Sequence, residues 1–177
     1  MIQPLIDLNL EQNQEVKYAL KHYSVAAEKA LKRAVRKLFR HYNYKIKRSL
    51  SRNLKVPQKT LKKRLITNLK IRKGVAKGRI WFGANPIPFH KLGSIRLVKS
   101  KGGVKAGQHF AKGAFIYNGL VFKRVGVARF PIKRVDLCID ADARRIFENM
   151  GMQNPAVVAR KFDEIFKQEL NFAMNHE

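Results

Sequence analysis

Apolar residues recur in steps of three or four from Val16 through Leu20, Tyr23, Ala27, Leu31, Ala34, Leu38, Tyr42 and Ile46 to Leu50, and neither Gly nor Pro interrupts them. Side chains three and four apart share one helix face, so the spacing predicts a single amphipathic helix running to about Asn53. Asn13 is its expected N-cap, and Glu15 then sits at the positive end of the helix dipole. At its standard rise such a helix is about 60 Å long, more than the diameter of a compact domain of this size. It is therefore expected to project, or to pack against a second copy of the chain.

The remaining pattern is mixed. Ile2, Leu5, Leu8 and Leu10 read as a short strand, with Pro4 placing it at an edge. Val56-Pro57 opens a short helix, with Pro57 in the first turn where its missing N–H is harmless. A strand over 66–71 follows, then a turn bracketed by Gly74 and Gly78, then a partner strand Arg79-Ile80-Trp81-Phe82. Asn85 to Phe89 must be extended, because residues before proline avoid the helical region. Lys99 to Gly103 reads as a flexible loop, and strands are expected over 114–117, 120–124 and 132–137. Asn118-Gly119 is a hairpin signal between the first two. Asp140 is expected to cap a helix through Met150, with Gly151 stopping it. Asn154-Pro155 opens a last helix with the stripe Val158, Phe162, Ile165, Phe166, Leu170 and Ala173.

The expected fold is α+β: a long N-terminal amphipathic helix, a central antiparallel β-sheet and a C-terminal helix. The length predicts one domain over 1–177, with an edge strand at 1–12 and a basic helical region at 13–64. A β-rich core follows at 65–137, and C-terminal helices at 138–177.

Charge is distributed unevenly. The formal net charge is +26; residues 17–79 hold 22 Lys and Arg with one acid, Glu28, and residues 80–135 hold 11 with none. Both ends are mildly acidic. A basic body with acidic ends points to an external polyanion, and also to head-to-tail contact between copies. No run approaches the length of a membrane span, and the first ten residues lack the basic start of a signal peptide, so neither is expected. A single cysteine, Cys138, excludes an intramolecular disulfide and fits a reducing compartment.

No catalytic constellation assembles from the sequence. His22, His41, His90, His109 and His176 stand at no metal-ligand spacing with Cys138 or a carboxylate, so no metal or cofactor is expected. Cys138 lies between Leu137 and Ile139 and reads as a buried structural thiol. Asp136, Asp140 and Asp142 precede a helix and read as capping residues. The basic, glycine-rich run 101–107 lacks the order of a phosphate-binding P-loop and reads as a mobile loop. Two strings, 77–82 and 112–117, faintly echo an RNA-recognition signature, but core aromatics are the expected reading of both.

The basic residues remain. Lys29, Arg33, Arg36, Arg40 and Lys47 follow steps of three, four or seven and form a stripe on the long helix, widened by Lys32. With Lys62, Lys63, Arg64, Lys101 and Lys105 they are the expected contacts to DNA or an acidic partner. No base-reading motif accompanies them, so phosphate backbone rather than sequence is the expected target.

The most distinctive segment is Asn85-Pro86-Ile87-Pro88-Phe89-His90-Lys91-Leu92-Gly93. It follows the basic helix, the run Val56 to Arg64 and the hairpin ending at Gly83. It precedes Gly113-Ala114-Phe115-Ile116 and the run Val125 to Ile132. Over roughly residues 20–140 this order resembles the minor tail protein Z family of long-tailed bacteriophages and prophages. The resemblance implies a non-enzymatic virion component that completes the tail at its head-proximal end and helps join it to the head. It implies a ring of copies, commonly six, meeting tail terminator, tube and neck proteins and the end of the packaged DNA. It implies a place in the virion tail, and in the host cytoplasm during assembly. Pro86, Pro88, Phe89, His90, Leu92 and Gly93 carry the hallmark, and their rigid path suggests subunit contact or a scaffold around Phe89.

Overall fold

A computed structural model describes residues 6–11, 13–72, 75–150 and 154–176. Ile2, Pro4 and Leu5 of the expected edge strand, Gly74 of the expected turn and the expected stop at Gly151 lie outside them. The elements begin with β1 (Ile6–Asn9), α1 (Gln14–His22), α2 (Ser24–Leu54) and α3 (Gln58–Lys62). Eight short strands follow β2 (Leu65–Arg72) and β3 (Val75–Phe82): β4 (Ile87–Pro88), β5 (Ile95–Val98), β6 (Gly103–Ala106), β7 (His109–Lys112), β8 (Ala114–Tyr117), β9 (Leu120–Arg124), β10 (Ile132–Arg134) and β11 (Asp136–Leu137). Helices α4 (Asp140–Asn149) and α5 (Pro155–His176) complete the order. The fold is α+β, and its antiparallel strands are shared among four small sheets, β1-β3-β2, β5-β6-β7, β10-β9-β8 and β11-β4.

Contacts divide the chain into two compact units. Met1–Ile46, Leu65–Phe82 and Phe147–Glu177 form the first, and Lys47–Arg64 with Gly83–Ile146 the second. Each is assembled from segments far apart in the sequence.

In the first unit β3 lies between β1 and β2, with Ile6 opposite Ile80 and Leu65 opposite Phe82. Ala76, Ile80 and Phe82 alternate inward as a half-buried strand should. Gly78 lies inside β3, not at a turn: a Cβ there would strike the Phe39 ring of α2 and stand 2.6 Å from Leu69 Cδ2. The α5 rings of Phe162 and Phe166 stack at 5.6 Å and are fully buried. Truncating such a ring costs about 3–5 kcal/mol, so this pair anchors the helix. Asn154 Oδ1 accepts from Ala156 N–H at 3.0 Å, so the expected cap of α5 is present.

The long helix is not continuous. Tyr23 has φ −137° and ψ 54°, which ends α1 and starts α2, although neither Gly nor Pro is near. His22, Tyr23, Ser24 and Val25 all have modest helix propensity, and the caps make the break tolerable. The Tyr23 N–H donates to Ala19 O, and its own carbonyl accepts from Ala27 N–H. Asn13 caps α1 as expected, accepting from Val16 N–H at 3.0 Å while donating to Asp163 at 3.0 Å. With 31 residues α2 is about 46 Å long. Its apolar side does not project: Ala27, Leu31, Ala34, Leu38, Tyr42, Ile46 and Leu50 are all buried within the chain, as are Ala30, Val35 and Phe39.

In the second unit the expected loop at 99–103 is a short 3-10 turn, Lys99–Lys101, leading straight into β6. The basic glycine-rich run 101–107 is thus mostly a strand, the middle one between β5 and β7, with Val104 and Ala106 buried. Sequence reading missed it because Gly weakens the strand signal. Asn118 and Gly119 have φ of 47° and 72°, as a type I′ hairpin turn between β8 and β9 requires. The expected strand 132–137 is two strands in different sheets, β10 beside β9 and β11 beside β4.

Candidate polyanion-facing surface

On α2 the residues Lys29, Lys32, Arg33, Arg36 and Arg40 are exposed, on the side away from Leu31, Leu38 and Tyr42. Helical spacing alone produces that segregation. Lys47 continues the row but is half-buried and belongs to the second unit. Two positions on the flank are engaged by α5. The Arg33 guanidinium stands 5.4 Å from the Phe172 ring centroid, and Lys37 pairs with the buried carboxylate of Glu169. Arg36 and Arg40 carry no in-chain partner among the described residues, so they are the positions where an external anion would be bound most directly.

Most of the described acids, by contrast, are occupied. Glu11 pairs with Lys77 at 3.0 Å, Glu15 with Lys167 at 2.9 Å and Glu164 with Lys161 at 2.8 Å. Asp136 pairs with Arg134 at 3.0 Å, Asp140 with Arg144 and Asp142 with Arg145, both at 3.1 Å. The acidic ends expected to reach a second copy are therefore largely engaged within the chain. Asp140 and Asp142 lie inside the first turn of α4 and hold arginines one turn on, rather than capping it. Exposed pairs like these add little stability, but they leave the basic excess without opposing charge.

In the second unit Lys62 and Lys63 are exposed beyond Pro57, which stands at the N-cap of α3. Lys101 is exposed in the 3-10 turn, and Lys105 is half-buried on β6 directly opposite Arg96. Arg64 does something else. Its Nη1 donates to Gly83 O at 3.0 Å and to Asn85 O, and its Nη2 donates to Pro86 O at 3.0 Å. Burial lowers its pKa from the usual arginine range, while these carbonyls give the cation its hydrogen bonds. Arg64 is a clamp on the chain entering the hallmark segment, not a polyanion contact.

That segment is a scaffold. Ile87, Phe89 and Leu92 are buried, Pro88, His90 and Gly93 half-buried, and Asn85, Pro86 and Lys91 exposed. Pro88 pairs with Asp136 across β4 and β11, and Phe89 N–H donates to Val135 O at 3.0 Å. The Phe89 ring meets His109 edge-on, and His109 Nε2 lies 3.0 Å from Leu54 O. Thr60 Oγ1 donates to Lys91 O at 2.9 Å. Gly93 closes the segment against Gly107: a Cβ on Gly93 would lie 2.9 Å from Gly107 Cα.

His90 is half-buried, and its Nδ1 is buried with no hydrogen-bond partner. Burial, then Lys91 and Arg134, push its pKa below the usual imidazole value, opposed by Asp136. The folded state thus binds fewer protons at this site than the unfolded chain, so stability is lost as pH falls through the unfolded value. Melting temperature is expected to fall between about pH 7.5 and pH 5.5, and His90→Asn to flatten that decline. An unchanged pH dependence in the variant refutes the assignment.

Two further expectations change. Cys138 is exposed, not buried, because the adjacent Ile139 takes the inward position. Of the two aromatic strings, 77–82 does contribute core residues, Ile80 and Phe82. The other puts only Ala114 in the core: its aromatics stay out, with Tyr117 60% exposed and Phe115 half-buried. Phe115 and Tyr117 share one face of the β10-β9-β8 sheet with Phe122, at ring distances of 6.2 and 6.5 Å to Phe122. Arg134 stands opposite Phe122 on the same face. The signal available in the sequence was the alternation around Asn118-Gly119, which places residues 115, 117, 120 and 122 on one side.

Among the described residues no helix is long and apolar enough to cross a membrane, and no group of three or more His, Cys, Asp or Glu is placed to hold a metal. Comparison with protein-family profiles, curated proteins and solved structures finds no match.

Proposed function

We propose that this chain is a non-enzymatic structural protein of a long-tailed phage or prophage, completing the tail at its head-proximal end and joining it to the head as a homo-oligomeric ring. In this reading it resides in the virion tail, and in the host cytoplasm during assembly. It meets tail terminator, tube and neck proteins and the end of the packaged DNA. The observation that supports it is electrostatic: most of the described acids are engaged within the chain, while Arg36 and Arg40 on α2 face outward unopposed. Such a surface suits a phosphate backbone passing through a junction, with binding that weakens steeply as salt rises.

The partly exposed aromatic face of Phe115, Tyr117 and Phe122 favours a second reading, a sequence-nonspecific nucleic-acid-binding protein of nucleoid or ribosome-associated type. Native mass spectrometry and negative-stain microscopy separate the two. The tail reading expects a closed ring, or a monomer that adds to purified tails and restores head joining. A monomer that coats DNA and ignores tails overturns it.

A further inference from the structure

The β9–β10 hairpin ends in a loop, Val125 to Pro131, closed by the Val125 N–H donating to Pro131 O at 3.0 Å. Its tip is apolar and exposed: Val127 is 101% and Phe130 65% exposed, and Val125 is 57%. Solvent-facing apolar groups clustered at one tip are unfavourable unless something covers them. The Arg129 guanidinium stands 5.8 Å from the Phe130 ring, so the tip also carries a cation.

Charge flanks the tip on both sides. Lys123 and Lys133 are opposite one another in the register and share one face of the ribbon. Arg124 and Arg134 fall on the other face, Arg134 also pairing with Asp136 at 3.0 Å. A flat anionic bilayer or an acidic protein surface offers anions to one face of a ribbon. A nucleic-acid groove offers a row of phosphates on each side and stacked apolar bases at its floor. That complementarity selects among the occupants. A second copy carries net charge +26 itself, with its acids largely paired, and is the poorer partner.

We infer that the β9–β10 hairpin enters a groove of duplex DNA, with Lys123 and Lys133 on one face and Arg124 on the other straddling the phosphates and Phe130 with Val127 wedging against a base step. Apolar side chains inserted in this way unstack a step and kink the duplex. The inference rests on reading the polyanion as DNA, and it adds a bending activity that the helix surface alone does not supply.

The test uses the full-length chain and a duplex of about 30 base pairs, end-labelled for energy transfer and carrying 2-aminopurine within it. Binding is expected to shorten the end-to-end distance and raise the 2-aminopurine emission. The double variant Val127→Ser with Phe130→Ser keeps every cation. It is expected to lose both signals and about tenfold to a hundredfold in affinity, with the salt dependence retained. Phe130→Leu keeps an apolar wedge and is expected to restore most of the bend. The substituted side chains are exposed, so folding is not at risk. Unchanged bending and affinity in the double variant overturn the hairpin inference and leave the helix surface as the DNA contact. A wild-type chain that binds no duplex at low salt overturns both. Preference for anionic vesicles over duplex, lost in the double variant, overturns the inference in favour of a lipid surface.

Discussion

The double charge reversal Arg36→Glu and Arg40→Glu is expected to lower duplex affinity about a hundredfold at low salt, roughly tenfold for each residue. Both side chains are exposed on α2 and have no in-chain partner among the described residues, so reversing them breaks nothing internal. Each lost phosphate contact also removes about 0.9 from the slope of log affinity against log salt, so that line flattens by about two units. On the proposed tail role, head–tail joining is expected to fall with it. The control is Arg144→Glu, whose charge is tied to Asp140 on α4; it is expected to leave affinity nearly unchanged. Filter binding across a salt series reads all three proteins. If the double variant binds with wild-type affinity and slope, the stripe is a solvated face and the DNA contact lies elsewhere.

Gly107→Ala is expected to destabilise the second unit far more than Gly102→Ala, a glycine of nearly the same φ. Gly107 has φ +57°, and a Cβ there would lie 2.5 Å from Leu92 O, a backbone atom that cannot swing aside. Gly102 has nearly the same φ, +59°, with nothing within 4 Å of its absent Cβ. The conformational penalty is shared by both sites and amounts to about 1 kcal/mol. The clash belongs to Gly107 alone and brings its total to about 3 kcal/mol or more. Urea denaturation of the two variants isolates the difference. Equal losses at Gly102→Ala and Gly107→Ala contradict the close approach of Leu92 O to Gly107.

Helical periodicity made most of α2 and α5 legible, because a stripe of Leu31, Leu38, Tyr42 and Ile46 has only one way to face a core. The Asn118-Gly119 turn and the Asn154-Pro155 cap were legible for the same kind of reason, local chemistry acting on local backbone. The break at Tyr23 was not, since its residues permit a helix and only the two flanking caps reveal the interruption. Nor was β6, where Gly103 and Lys105 hide a strand whose signal comes from its neighbours. In the candidate surface, Lys29 to Arg40 stand where spacing places them. Arg64 was misassigned because charge counting cannot tell a solvated arginine from one holding three carbonyls. The Phe115, Tyr117 and Phe122 face was passed over because a sequence does not say which side of a sheet is covered.

The burial of Ile87, Phe89 and Leu92 has an evolutionary consequence. These residues are interior, in a segment held by Arg64 and closed against Gly107, where their side chains are constrained by shape. The surface that would meet a phosphate backbone is constrained only in its total charge, and Lys and Arg can trade places there with little penalty. Diverging copies should therefore keep these interior residues while their outer helix face drifts. Descent would then be legible in the packed interior, and binding in the exposed face that alignment reads worst.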